Sequence, residues 1–240
     1  MSTAERVKVI HDYIVLNCEY DYFNYSKGTI PSDSYTPRGV LINKKAVCQG
    51  YAETFKLFMD ALGLPCEMVS GTAGSPLVGW GGHAWNVVKI SGKWYQIDVT
   101  WDDPTPDEKG RLFYDYFLIT DKQMKKDHKW TSSRKCKTSN SKFATLFGKV
   151  SKTMDSAADE FNKKYEMNSK QSITIVVPKK LYKKSNFFVF DLFDKLDEKY
   201  HKRVAQWSDS TTVYGNYYVI TVKVKKMGES FYSYMSTEDE

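Results

Sequence analysis

Apolar positions in the first half of the chain recur with two different periods. From Ala46 to Pro65 (AVCQGYAETFKLFMDALGLP), Tyr51, Ala52, Phe55, Phe58, Met59 and Leu62 fall at i, i+1, i+4, i+7, i+8 and i+11. That spacing lines one face of a helix and is incompatible with a strand. Gly63 supplies a left-handed C-terminal residue and Pro65 stops the helix. One turn back along the buried face lies Cys48, a thiol at a helix N-terminus turned toward the rest of the protein. Residues 3–18 predict another helix, with Val7, Ile10, Tyr13 or Ile14, and Asn17–Cys18 along one side. Between the two helices, residues 20–39 (YDYFNYSKGTIPSDSYTPRG) are aromatic, polar and rich in turn formers, which predicts a long ordered loop. After Pro65 the period changes. CEMVSG predicts a strand, Gly71–Gly82 a mobile glycine-rich loop bearing Trp80, and HAWNVVKISGKWYQIDVTWDDP two strands around Ser91-Gly92.

The last third repeats this alternation on a smaller scale. Lys135–Lys142 is a Ser/Thr/Lys-rich linker candidate. Met154, Ala157, Ala158, Phe161 and Tyr165 mark a helix, SITIVVP a strand, and Val189, Phe193, Leu196 and Tyr200 a second helix. Tyr218, Ile220, Val222 and Val224 alternate as a strand, paired through Gly215-Asn216 with the one before it. The pattern predicts a first, larger domain over 1–138 and a small α+β accessory domain over 148–230. The second holds no cysteine and one histidine, His201, so binding, positioning or dimerisation is expected of it rather than catalysis.

Register gives the predicted hairpin chemical content. With Ser91-Gly92 as the turn, Ile90 faces Lys93, Trp85 faces Asp98 and His83 faces Thr100. His83 and Asp98 then share a face one diagonal step apart, about 7–8 Å between backbones and within reach of an imidazole and a carboxylate. An odd-numbered loop would separate them onto opposite faces.

Composition narrows the classes. The 240 residues are 41% hydrophobic and 15% aromatic, a globular composition. No apolar run approaches the roughly 18 residues of a membrane span, and the start lacks a signal-peptide layout. A cytoplasmic protein is expected, or an extracellular or cell-surface one if this is a trimmed form. The net charge of +6 is modest and interspersed, so no nucleic-acid partner is expected. The basic run Lys122–Lys137 is expected to be a solvated surface. Four cysteines do not make a disulfide scaffold, and Cys18, Cys66 and Cys136 are expected to be ordinary thiols. No metal site is expected: paired Cys/His spacings are absent. Asp102, Asp103, Asp107 and Glu108 lack the EF-hand pattern and predict a solvated turn rather than a calcium loop. No cofactor is implied, and His11, His128 and His201 have no visible partner.

Cys48, His83 and Asp98 form a complete nucleophilic set. A helix N-terminus lowers a thiol pKa by only about one unit, so activation needs a cationic neighbour. His83 supplies it by taking the thiol proton, and Asp98 fixes its tautomer and stabilises the imidazolium.

VCQGYA with Cys48, HAWNVV with His83 and WYQIDVTWDDP with Asp98 resemble the bacterial transglutaminase-like superfamily. The likeness extends over about residues 5–135, through IHDYIVLNCEYDY and YDYFLITDKQMKKDHKW. The resemblance implies a papain-like α+β core, with a nucleophile helix packed on an antiparallel sheet, and acyl-thioester chemistry on the amides of a peptide or protein substrate. Calcium-dependent animal members stabilise the oxyanion with an upstream Trp. This chain has no Trp before Trp80, so the backbone N–H of Cys48, with Gln49 or Tyr35, is the expected replacement. Trp85 is expected to wall the substrate cleft. Water as acceptor, making a peptidase or amidase, is slightly favoured over amine transfer. The competing class is a catalytically silent binding module on the same fold.

Overall fold

A reciprocal pair of bonds between Ser2 and Glu5 caps the first helix, α1 (Thr3–Asn17). Its buried face runs through Ala4, Val7, His11, Ile14 and Val15. The expected stripe through Tyr13 and Asn17 is displaced, because a histidine with carboxylate partners takes an inward position and Tyr13 stays 41% exposed. The computed structural model describes residues 1–77, 79–103, 105–131 and 134–228. The chain divides into two units, Met1–Ser139 and Asn140–Glu240.

Residues 20–39 hold more structure than a loop. Strand β1 (Glu19–Tyr20) pairs in parallel with β2 (Lys45–Ala46), and α2 (Tyr22–Lys27) ends at left-handed Gly28. A 3-10 turn (Ser32–Tyr35) and a π turn (Gly39–Asn43) lead into β2. Buried Asp21 organises the segment by accepting from Ser34 Oγ at 2.9 Å and from the Asn24 amide. Helix α3 (Cys48–Ala61) follows, closed by Gly63 at φ +67°. Gly50 lets the 3-10 turn lie directly on this helix, since a Cβ there would sit 2.5 Å from the Ser34 carbonyl oxygen.

The sheet of this unit is antiparallel, in the order β5-β4-β3-β6. Its strands are β3 (Cys66–Ser75), β4 (Gly79–Ile90), β5 (Lys93–Ile97) and β6 (His128–Trp130), with α4 (Asp121–Met124) before the last. The glycine-rich stretch expected to be a mobile loop is therefore mostly strand. Its ladder runs from Gly71↔His83 to Ser75↔Gly79, because backbone pairing needs no side chains; Val78 lies outside the described residues. Gly71 has a packing reason: a Cβ there would lie 2.2 Å from the Lys129 carbonyl oxygen on β6. Residues 135–139 are no free linker either. Cys136 is buried, its amide donates to Asp121 Oδ2 at 3.0 Å, and its carbonyl accepts from the Asp121 amide at 2.8 Å.

The second unit opens with a 3-10 turn (Ser141–Phe147) and continues through α5 (Met154–Met167), β7 (Ile173–Pro178), α6 (Lys179–Tyr182), α7 (Phe188–Tyr200), β8 (Arg203–Tyr214) and β9 (Tyr217–Gly228). Its sheet order is β7-β9-β8, with Tyr214↔Tyr217 closing the turn at Gly215-Asn216. Phe161, Leu192, Phe193 and Leu196 of the helices pack on Ile173, Ile175, Ile220 and Val222 of the sheet. This is an α+β fold on its own core; residues 229–230 of the expected accessory domain lie outside the described residues. Among the described residues no helix is long and apolar enough to cross a membrane.

Candidate active site

Helix α3 begins at Cys48, after Val47 as the residue that caps it. A valine side chain accepts nothing, and the first amides of a helix have no partner within it. The N–H groups at the thiol therefore remain available to a ligand. The helix is tied to the sheet by Asn86, whose side-chain amide donates to the Ala52 carbonyl at 3.1 Å. That bond joins the helix bearing Cys48 to the strand bearing His83.

The hairpin turns at Ser91 (φ +48°) and Gly92 (φ +80°), a two-residue turn with both central residues in the left-handed region. Ile90 pairs with Lys93 and Asn86 with Ile97, the expected register. His83 Nε2 lies 2.6 Å from Asp98 Oδ2. The Cys48 side chain stands at His83 as well, and its hydrogen bond and charge raise the ring's pKa. Thiol, imidazole and carboxylate are thus brought together from a helix start, strand β4 and the residue that follows β5.

Electrostatics strengthen this arrangement. Burial works against charge on His83. The Asp98 charge and hydrogen bond, with the contact to Cys48, overcome it and raise the ring to about 10. Asp98 is fully buried, which by itself disfavours its charge. The His83 charge and the hydrogen bonds from His128 and His83 nevertheless hold its carboxyl well below the usual range. The histidine is accordingly an imidazolium facing a carboxylate.

Asp98 has four donors. Oδ1 accepts from the amides of Thr100 (3.0 Å) and Trp101 (3.2 Å), and Oδ2 from His83 (2.6 Å) and His128 (3.1 Å). His128 is buried, stands within the run expected to be solvated, and comes from β6, which no spacing in the sequence connects to β4 or β5. The ligand atoms of His83, Asp98 and His128 lie within 4.8 Å of one another, a set that suits a cation by type. Their approach is accounted for by the hydrogen bonds they make.

Beside His83 opens a cleft of about 840 Å3, walled by Tyr20, Tyr22, Tyr25, Trp80, Trp101 and Tyr116. The remaining expected residues stand elsewhere. Trp85 is 1% exposed, stacks on His83 with ring centroids 5.8 Å apart, and donates to Gln96 Oε1 at 2.8 Å. It backs the imidazole from the core and walls nothing. Gln49 is exposed, and its amide donates to Glu53 one turn along the helix (2.8 Å). Tyr35 is 37% exposed and does not line the cleft. Tyr20 lines the cleft instead: pairing of β1 with β2 sets it opposite Ala46, two residues before Cys48, and burial followed by the Cys48 charge raises its hydroxyl pKa.

The acidic turn is also corrected. Asp102 and Asp103 are buried, not solvated. Asp102 Oδ2 lies 3.0 Å from His11 Nε2, and Asp103 accepts from the Tyr51 hydroxyl at 2.7 Å. Burial lifts Asp103 to about 7. His11 thus has a partner after all, bracing α1 against the segment that follows the hairpin.

Residues 1–99, all within the first unit, match the Transglutaminase-like superfamily, and over this stretch the chain is similar to that family. Cys48, His83 and Asp98 fall within the match; His128 lies beyond it. The kyphoscoliosis peptidase of Mus musculus is 28% identical over 130 residues, covering 50% of this chain and 19% of that protein. Its Homo sapiens counterpart is 28% identical over 127 residues, covering 48% and 19%. The chain thus spans about a fifth of the length of the curated relatives it matches. A crystal structure of a TGase superposes with a TM-score of 0.37 at 25% identity, covering 45% of this chain and 29% of that one.

Proposed function

We propose that the first unit is a thiol enzyme acting on amide bonds of peptides or proteins. Cys48 attacks the carbonyl, His83 takes the thiol proton and later protonates the leaving amine, and Asp98 holds His83 in the tautomer that permits both. The observation that carries this reading is the grouping of Cys48, His83 and Asp98, closed by the 2.6 Å bond. The amide N–H of Cys48 and the Tyr20 hydroxyl are the candidate donors to the oxyanion.

We favour water as the acceptor of the acyl group. An amine acceptor must outcompete water, which calls for a narrow, dry passage. The cleft beside His83 is about 840 Å3, room for many waters at ~30 Å3 each. Alkylation of Cys48 by iodoacetamide across pH, followed by peptide mass spectrometry, tests the thiol centre. Fast labelling near pH 5–6 that collapses in His83→Ala supports it; labelling that follows a free-thiol titration points to a silent binding module. Incorporation of a labelled amine tests the acceptor: strong Cys48-dependent incorporation would replace hydrolysis by acyl transfer.

A further inference from the structure

We propose that His128 is a positioning residue of the thiol centre: it holds the Asp98 carboxylate in the orientation in which Oδ2 meets His83, and it does so as a cation between two carboxylates. This inference rests on the thiol-enzyme reading above.

The geometry is specific. A carboxylate has about four acceptor positions, and at Asp98 all four are taken, two on each oxygen. The backbone donors fix Oδ1. Among the described residues the two imidazoles alone hold Oδ2, so without His128 the oxygen that serves His83 is held by His83 alone. His128 is itself held from behind. Its Nδ1 lies 2.7 Å from Asp127 Oδ1, and the Tyr116 hydroxyl donates to Asp127 Oδ2 at 2.8 Å. A ring with a carboxylate at each nitrogen satisfies both only by donating twice, which requires the imidazolium.

The titratable groups facing this ring are Asp98 from the end of β5, Asp127 beside it, His83 from β4 (centroids 5.4 Å apart) and Tyr116 (5.3 Å). Trp85 and Trp101 close the remaining sides at 5.0 and 4.4 Å. Burial opposes charge on His128, but the two carboxylates outweigh it and raise its pKa. Strand β6 is set in place by pairing with β3, Ala73 opposite His128, and by the Gly74 amide donating to the Asp127 carbonyl at 3.0 Å.

A buried, satisfied histidine with a purely structural role would show the same bonds. Two substitutions separate the roles. In His128→Gln the side-chain amide keeps a donor for Asp98 without the charge; in His128→Phe both are lost. The readout is the pH profile of Cys48 alkylation per folded molecule, with folding checked by near-UV circular dichroism. For His128→Phe the low-pH reactivity plateau is expected to fall about tenfold or more, the loss of a hydrogen bond to a charged group. For His128→Gln the plateau is expected to be largely rescued. Its upper limb should move to higher pH, since a cation near His83 is gone. Superimposable profiles in all three proteins, or losses that merely track the folded fraction, would overturn the proposal.

Should His128→Phe fail to fold, 15N NMR of the intact wild-type protein decides. Both His128 nitrogens are expected to be protonated at pH 6, and an unprotonated Nε2 facing Asp98 would end the argument. A wild-type Cys48 that titrates as a free thiol overturns both this inference and the reading it rests on. Low-pH reactivity that is intact in wild type and indifferent to His128 overturns this one alone.

Discussion

Asp98→Asn is the sharpest perturbation of this centre. The change keeps shape and volume at a fully buried position and removes one charge. His83 stands at about 10 instead of its ordinary 6.5 although burial pulls it down, so the Asp98 charge and bond, with the Cys48 contact, supply more than the visible lift of ~3.5 units, or ~5 kcal/mol. Assigning most of that lift to Asp98, the asparagine variant loses on the order of 2–3 units of basicity at His83, a 10^2–10^3-fold drop in the thiolate–imidazolium population. Tautomer adds to this. An asparagine that turns its amide N–H2 to His83 Nε2 makes that nitrogen an acceptor and puts the ring proton on Nδ1, so the neutral ring no longer has Nδ1 free to take the thiol proton. The assay is the second-order rate of Cys48 alkylation at pH 6 by peptide mass spectrometry, with near-UV circular dichroism to confirm folding. A folded variant that reacts within about threefold of wild type would refute the assignment of His83 basicity to Asp98.

Three further outcomes follow from the same structure. Asp103 is raised from 3.8 to about 7 by burial, so its contribution to stability is full below its unfolded pKa and is lost as pH rises through 7. Asp103→Asn should therefore gain on wild type by up to about 4 kcal/mol above pH 8 and by little near pH 4, read as urea midpoints; an equal difference at both pH values refutes it. Gly71→Ala places a Cβ 2.2 Å from the Lys129 carbonyl oxygen and should cost about 1–3 kcal/mol while displacing His128; an unchanged urea midpoint contradicts the close approach. Tyr20→Phe should lower kcat for a peptide anilide by about 10^2-fold, with KM and the Cys48 alkylation profile preserved. A parallel fall in alkylation would make Tyr20 a packing residue instead.

The parts of the site that short-range rules govern were legible in the sequence. Helical spacing pointed to Cys48, and a two-residue turn fixed the parity that joins His83 to Asp98. The parts not legible there depend on partners distant in the chain. Asp102 and Asp103 look solvated until His11 and Tyr51, 91 and 52 residues away, are brought to them. His128 is hidden in a lysine-rich run, and its link to Asp98 exists only once β6 pairs with β3. Trp85 shares the hairpin face that alternation assigns it, but that face continues from the cleft into the core, and alternation does not mark where the boundary falls. The glycines of 71–82 misled in the opposite direction, since residues that usually break strands here permit a close strand crossing.

The three cysteines outside the site have a consequence for survival under oxidants. Burial pushes Cys18 and Cys66 up to about 12 and raises Cys136 as well, leaving them almost wholly protonated and sealed from solvent. Oxidants must reach a thiol to attack it, and among the four cysteines only Cys48 is not buried, so damage is expected to concentrate there. A sulfenic acid formed there meets no exposed thiol of its own chain for rescue by disulfide formation, and its recovery falls to small-molecule thiols entering the cleft. On the proposed thiol-enzyme reading, oxidation would then stop the reaction while leaving the fold intact.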